Sequence, residues 1–196
     1  MPEVIPKNSR YIPFVQQKSC CVPACLSMVM YRRGLPLIPQ ELLGYHLGLT
    51  VAPENRYLFW QPRTGQRPPA GYGTQIYNPK YDFNKVFAKL KIPLRLDFHP
   101  ISKYKTDTLK TLLRQALKND KDLLVCCDHG SLIGKPSNSG HVCVIDRLIG
   151  TDKIRLIDPS ANQPKWRVVS IGKLYKAMQY HGDAKFGGLW KLKKTQ

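Results

Sequence analysis

The chain has 196 residues, of which 42% are hydrophobic and 10% aromatic; this composition excludes an intrinsically disordered chain and fits one globular domain with its own core. Its 31 Lys and Arg residues outnumber its 13 Asp and Glu residues, which gives a formal net charge of +18. No apolar run approaches the roughly 18 residues that cross a bilayer, and residues 1–17 contain no apolar block of signal-peptide type. We therefore expect a soluble, cytoplasmic protein without a transmembrane segment.

The positive charge favours polyanionic partners, namely nucleic acid, acidic proteins or an anionic membrane surface. The basic residues are nevertheless spread along the whole chain, without a run of five or more. Aromatic residues that could stack on bases lie in a segment rich in Pro and Gly and follow no known binding motif. A solvated basic surface is the preferred interpretation, and a nucleic-acid partner is the alternative.

The six cysteines do not have the spacing of a disulfide framework; they are Cys20, Cys21, Cys25, Cys126, Cys127 and Cys143. In a reducing compartment we expect free thiols, most of them buried as small apolar groups. Their spacings match no paired zinc knuckle, and the sequence has neither a phosphate-cradling glycine loop nor a dinucleotide fingerprint. We expect neither a metal nor a cofactor.

Local structure is predicted from the order of helical and loop signals along the first part of the chain. Three prolines predict an extended lead-in over residues 1–13. From Val22 the apolar residues recur at helical spacing; Ser19 is placed to cap this helix and Gly34 to end it. A second helix is predicted over 39–47. Residues 48–80 are rich in Pro and Gly and predict a loop insertion that borders a cleft, with an inert insertion as the alternative.

Regular structure is predicted to resume after residue 80. We expect an amphipathic helix over 81–90, a half-buried strand over 94–98, a strongly periodic helix over 106–117 and an apolar strand over 122–127. In the last third, strands over 141–145 and 154–157 flank a hairpin turn at 150–152, and a helix over 171–178 precedes a strand over 186–192. Helices concentrate in the first part and strands in the second, which predicts an α+β domain in two unequal lobes.

A glutamine and a cysteine at the start of the first helix place a thiol beside a hydrogen-bond donor. Cysteine catalysis needs a thiolate, a base, a group that orients the base, and donors for the oxyanion. Cys21 fits the first role because the helix dipole and a neighbouring imidazolium would favour its thiolate. Cys20 is its rival at the same helix start, and Gln17 is the rival of Gln16. Cys25 lies one turn further on and is expected in the core.

Candidates for the base and its orienting acid lie on the predicted hairpin. His141 opens a strand directly after a Ser-Gly dipeptide, and Asp158 ends the partner strand. If residues 150–152 form the turn, Asp158 pairs near Val144, about 10 Å from His141 along the strand at 3.3 Å per residue. His129 is the alternative base. Asp146 is the alternative acid, although its odd separation from His141 predicts that it faces the other side of the strand.

Together these pieces resemble the papain-like cysteine peptidase superfamily and, within it, the bacterial double-glycine leader peptidases that process bacteriocins. The resemblance covers about residues 14–193 and is carried by residues 16–28, 139–144 and 156–159 in that order. It implies a papain-like two-lobed fold, in which a nucleophile helix packs on a C-terminal antiparallel sheet. It also implies that Gln16 donates to the oxyanion, Cys21 is the nucleophile, His141 is the general base and Asp158 is the orienting acid.

The sequence thus predicts a cysteine peptidase that hydrolyses a peptide bond through a thioester acyl-enzyme, with a peptide or protein substrate that the charge favours to be acidic. It departs from the family at Val22, where the family commonly has Gly, and it lacks the usual papain signature. An acyltransferase or isopeptidase with the same triad is one alternative, because a fold does not choose among these reactions. An inactive basic scaffold that binds nucleic acid or an acidic partner is the other.

Overall fold

The computed structural model describes residues 8–59, 65–162 and 165–195. Its α-helices are α1 (Cys21–Arg32), α2 (Gln40–His46), α3 (Phe83–Lys89), α4 (Thr106–Lys118), α5 (His129–Ile133) and α6 (Ile171–His181). Its strands are β1 (Leu94–Pro100), β2 (Asp122–Asp128), β3 (Gly140–Ile149), β4 (Lys153–Ile157), β5 (Trp166–Ser170) and β6 (Gly188–Lys194). No helix among these residues is both long and apolar enough to cross a membrane.

The strands form one antiparallel sheet in the order β1–β6–β2–β3–β4–β5. The last strand of the chain, β6, therefore lies between β1 and β2 in the interior of the sheet. The α+β class expected from the sequence is confirmed. The helices are not confined to the first part of the chain, however, because α4, α5 and α6 alternate with the strands.

Helices cover both faces of the sheet and bury two apolar layers. Buried residues of α1, α2 and α3 pack against one face, which includes Leu124 and Trp190. Buried residues of α4, α5 and α6 pack against the other face, which includes Leu123 and Val125. Neighbouring residues of β2 thus enter opposite layers, as the alternation of a strand requires. Burial on both sides explains why β2 reads as a continuous apolar run rather than an alternating one.

Helix α1 is buried along most of its length, from Val22 to Met30. It ends before Gly34, which has φ +65°, a left-handed conformation that glycine adopts without steric cost. The expected cap was wrong: the N-cap residue is Cys20, and no side chain caps the helix. Ser19 instead has φ 62° and turns the chain immediately before the helix.

The hairpin of β3 and β4 contains an irregularity that the sequence did not predict. Its turn includes Gly150, as expected, but the register shifts between Ile145 and Arg147, so that one extra residue of β3 forms a bulge. Beyond the bulge Val144 pairs with Ile157, not with Asp158. The same register extended by one residue sets Asp158 opposite Cys143. Asp158 is thereby one residue closer to His141 than expected, and on the same face of the sheet.

The segment rich in Pro and Gly has little regular structure where it is described. A 3₁₀ helix covers Pro53–Leu58, and isolated bridges join Thr50 to Gly73 and Val51 to Ala70. The backbone N–H of Gln75 donates to the carbonyl of Leu47 at 3.0 Å, which ties the segment to the end of α2. Residues 60–64 of this predicted insertion, and residues 1–7 of the predicted lead-in, lie outside the described residues.

Candidate active site

Cys21 lies at the first position of α1 and lines a cavity of about 760 Å³. Neither Cys20, its rival, nor Cys25, which was expected in the core, lines this cavity. Cys20 has no exposed surface and packs in a small separate cluster with Leu49 and Phe59. Cys25 is likewise fully buried, and its thiol donates to the carbonyl of Val142 at 3.3 Å.

His141 lies near the start of β3, opposite Cys127 of β2, and is 7% exposed. Its Nε2 atom lies 2.8 Å from Oδ1 of Asp158. The other ring nitrogen is therefore the one available to take a proton from a thiol. The thiols of Cys21 and Cys143 are close enough to His141 to raise its pKa.

The environment makes Cys21 the most acidic thiol of the chain. Burial raises the pKa of Cys21, but hydrogen bonding and charge from His141, with backbone hydrogen bonds of Val142 and Val22, outweigh burial and lower the pKa. Burial raises the pKa of the other five cysteines. For His141, burial alone would lower the pKa, but Cys143, Asp158 and Cys21 raise it well above its ordinary value. Both shifts favour a thiolate beside an imidazolium.

Asp158 follows the end of β4 and has no exposed surface. Besides its contact with His141, Oδ1 accepts a hydrogen bond from the backbone N–H of Ser160 at 2.9 Å. Burial raises the pKa of Asp158, yet the imidazoles of His129 and His141 and the N–H of Ser160 together lower it well below its ordinary range. The carboxylate is therefore ionised and able to stabilise a positive charge on His141.

Gln16 is half-buried and lines the same cavity as Cys21. Its backbone N–H donates to the carbonyl of Pro159 at 2.8 Å, so the residue is fixed next to the strand end that carries Asp158. Gln17 is exposed, and its side chain donates to Glu41 at 3.2 Å. Of the two glutamines, only Gln16 lines the cavity that contains Cys21.

Asp146, the alternative acid, serves another purpose. Its carboxylate binds the Arg155 guanidinium at 2.5 Å and the backbone N–H of Arg10 at 2.7 Å. Asp146 is the extra residue at the bulge of β3, and no hydrogen bond or ion pair in the described chain joins it to His141. It fastens the segment that precedes α1 to the hairpin.

Two residues near Asp158 were not assigned to the site from the sequence. His129, considered only as an alternative base, lies at the start of α5, and its Nε2 atom is 3.7 Å from Oδ2 of Asp158. Arg167 of β5 lies 3.5 Å from the same oxygen. A histidine directly after a buried strand was a usable signal for His129. No local signal marked Arg167, because its position depends on the pairing of β5 with β4.

His129, His141 and Asp158 also bring three potential metal ligands within 4.8 Å of one another. The charge of the carboxylate is already matched, since His141 binds Oδ1 and Arg167 lies beside Oδ2. A cation would have to displace the first contact and would be repelled by the guanidinium. The donor set therefore fits an acid–base site better than a metal centre.

The walls of the cleft around Cys21 include three other parts of the chain. They are residues 72–74, 76 and 77 of the segment rich in Pro and Gly, residues 137–142 before and at the start of β3, and His181 at the end of α6 with Lys185 beyond it. This position agrees with the predicted cleft-bordering loop. A second cavity of about 400 Å³ shares Gln16 and Ser160 with the first and includes Lys18 and Phe59. Neither cavity has an Asp or Glu among the described residues that line it.

No protein-family model matches this sequence, and the curated proteins contain no match to it either.

Proposed function

We propose that the chain is a cysteine peptidase of the papain-like superfamily, akin to the double-glycine leader peptidases. The observation that carries the proposal is that Cys21, whose thiol has a lowered pKa, lines an open cleft together with His141 of a buried His141–Asp158 pair. The papain-like two-lobed architecture belongs to the same proposal. Its support is that Cys21 comes from a helix and His141 from the sheet, and that both line the same cavity.

In the first half-reaction His141 takes the thiol proton, and the thiolate of Cys21 attacks the carbonyl carbon of the substrate. The carbonyl electron pair moves to oxygen, where the side-chain amide of Gln16 and the backbone N–H of Cys21 would hold the oxyanion. When this pair returns, the C–N bond breaks and the imidazolium protonates the leaving amine. Asp158 stabilises the imidazolium throughout. The product is a thioester on Cys21.

In the second half-reaction water replaces the amine. His141 removes a proton from the water as its oxygen attacks the thioester, and the C–S bond then breaks as the imidazolium returns its proton to the sulfur. The products are a carboxylic acid and the original thiol. Transfer to an amine acceptor would follow the same steps with the amine in place of water, so product analysis with and without a small amine separates hydrolysis from transfer.

The lining of the two cavities supports an acidic peptide or protein as substrate. Lys18 lies at one cavity and Lys185 at the other, and the described lining residues carry no carboxylate. The net charge of +18 would raise the local concentration of acidic segments over the whole surface.

Alkylation with iodoacetamide at about pH 6.5, followed by mass-spectrometric mapping, tests the proposed nucleophile. We expect Cys21 to be the labelled residue, because its thiolate is favoured while the other thiols are buried with raised pKa values. His141→Ala should slow the labelling at least about tenfold, since a loss of about 1.4 kcal/mol of thiolate stabilisation has that effect. Cys25→Ala, the matched control, should leave the rate unchanged. Labelling of another cysteine, or labelling of Cys21 that ignores His141→Ala, would contradict the proposal.

A further inference from the structure

The carboxylate of Asp158 has one satisfied oxygen and one that is not. Oδ1 contacts His141 and the N–H of Ser160, whereas Oδ2 is buried and makes no hydrogen bond with any residue that the structure describes. Nε2 of His129 faces Oδ2 at 3.7 Å and is itself buried without a hydrogen-bond partner in the described chain. A buried donor and a buried acceptor left unpaired are each costly, so the two facing atoms have reason to close this gap.

The position of His129 is fixed by its surroundings. Its backbone N–H donates to the carbonyl of Ser139 at 2.9 Å, and its ring lies against the ring of His141, with 4.6 Å between centroids. Asp128, directly before it, accepts hydrogen bonds from the backbone N–H groups of Ser131 at 2.7 Å and Ser139 at 3.0 Å. This buried carboxylate therefore holds the loop that carries His129 and borders the cleft.

The residue after His129 shows how tightly this loop is packed. A Cβ atom on Gly130 would lie 1.9 Å from the carbonyl oxygen of Lys135, which only a glycine avoids. The imidazole of His129 is consequently presented to Asp158 by a closely packed backbone. Contacts at catalytic sites are often long without substrate and shorten when the site is filled, so a gap of 3.7 Å between Nε2 and Oδ2 is within reach of a hydrogen bond.

On the basis of the function proposed above, we propose that His129 is a positioning residue for the reaction, whose Nε2–H group holds Oδ2 of Asp158 so that Oδ1 stays on His141. His129 does not touch the reacting atoms; it acts through Asp158. Arg167 of β5, whose guanidinium lies 3.5 Å from Oδ2, supplies positive charge to the same oxygen. With both neighbours in place, the carboxylate cannot rotate away from His141 when the imidazolium forms.

The test compares His129→Ala with His129→Gln in the full chain. The side-chain nitrogen of Gln stands the same number of bonds from Cα as Nε2 of His, so it can donate to Oδ2. We expect His129→Ala to lower kcat about tenfold with little change in KM, and to slow the alkylation of Cys21 at about pH 6.5 by a similar factor. His129→Gln should recover most of both rates. His99→Gln is the matched control, because His99 lies on the edge strand β1 and lines neither cavity.

The alkylation rate distinguishes positioning from a merely structural role, since loss of folded protein lowers kcat without changing the pH profile of the remaining Cys21 thiol. Two results would overturn the assignment of His129: an alkylation rate of Cys21 in His129→Ala equal to the wild-type rate, or rates in His129→Gln that are as low as those in His129→Ala. If His129→Ala does not fold, the test depends on His129→Gln. A pH dependence of Cys21 alkylation equal to that of the wild type supports the assignment, and a shifted pH dependence overturns it. Failure of the proposed function is separate, because Cys21 would then not be the labelled residue in the unmodified protein.

Discussion

At the scale of single residues, one hydrogen bond links Gln16, the proposed oxyanion donor, to the residue next to Asp158, the proposed orienting acid. The N–H of Gln16 binds the carbonyl of Pro159, the neighbour of Asp158, at 2.8 Å. Gln16 and Cys21 are separated by a short irregular segment in which Ser19 has a left-handed backbone. The hydrogen bond from Gln16 to Pro159, rather than local helix geometry, therefore sets where Gln16 lies relative to the thiol of Cys21.

Gln16→Ala should lower kcat about 100- to 1,000-fold, the usual effect of removing one oxyanion donor, while KM changes little. The effect arises because the amide would bind the oxygen only after it becomes an oxyanion. Steady-state kinetics on a cleaved peptide measure both constants. Gln17→Ala is the control, because that side chain is exposed and bound to Glu41, and it should keep the wild-type kcat. Equal losses in the two variants would remove Gln16 from its proposed role.

At the scale of secondary-structure elements, the bulge at Asp146 brings Asp158 to the side of His141. Without the extra residue, Asp158 would pair near Val144 and its side chain would project from the opposite face. The bulge is held by a buried ion pair between Asp146 and Arg155, whose side chain is 9% exposed. The Asp146–Arg155 pair thus fixes the register that places Asp158 beside His141.

Asp146→Ala should lower the free energy of unfolding by about 3–5 kcal/mol, because it leaves the guanidinium of Arg155 buried without its partner. Urea denaturation followed by circular dichroism measures this loss. Asp152→Ala is the control: Asp152 pairs with Lys110 at 2.6 Å, but its side chain is 57% exposed, so the variant should lose no more than about 1 kcal/mol. A similar small loss at both positions would contradict the structural role of the Asp146 pair.

Most elements could be predicted from the sequence because their signals are local. The helix that became α4 has an apolar face at helical spacing, and the β3–β4 hairpin has its turn at Gly150. The bulge was not predictable, because it is stabilised by contacts of Asp146 with Arg155 and with the N-terminal segment, which is distant in sequence. The same reason applies to the candidate site. Cys21, His141 and Asp158 were chosen from short motifs in a recognisable order along the chain, whereas the positions of His129 and Arg167 depend on how strands and loops pack.

At the scale of the whole molecule, several carboxylates depend on partners that exist only in the fold. Burial raises the pKa values of Asp120, Asp128 and Asp158, but arginine, serine and histidine donors, respectively, outweigh it and lower all three. A carboxylate with a lowered folded pKa stabilises the protein above its unfolded pKa of about 3.9, and this contribution is lost as pH falls toward the folded value. For His141, whose pKa is raised, the contribution to stability depends on pH in the opposite direction. It is complete below about pH 6.5 and is lost at higher pH.

We therefore expect the melting temperature to fall by about 5 °C or more between about pH 5 and about pH 3, measured by differential scanning calorimetry. Asp128→Asn should reduce this acid-dependent loss, because one of the responsible carboxylates is then absent. Asp107→Asn is the control, since the Asp107 side chain is 96% exposed, and it should follow the wild-type curve. A melting temperature that does not respond to acid would show that these carboxylate contacts contribute nothing to stability.

The interior position of β6 determines when the proposed site can form during protein synthesis. In the described chain β1 pairs with no strand other than β6, and Trp190 and Leu192 of β6 enter the layer that also contains α1. A nascent chain that still holds residues 188–194 inside the ribosome cannot pair β1 or complete the apolar layer against which α1 packs. Under the proposed function, Cys21 and His141 can therefore act together only after these residues have left the ribosome, and a shorter nascent chain should cleave no substrate.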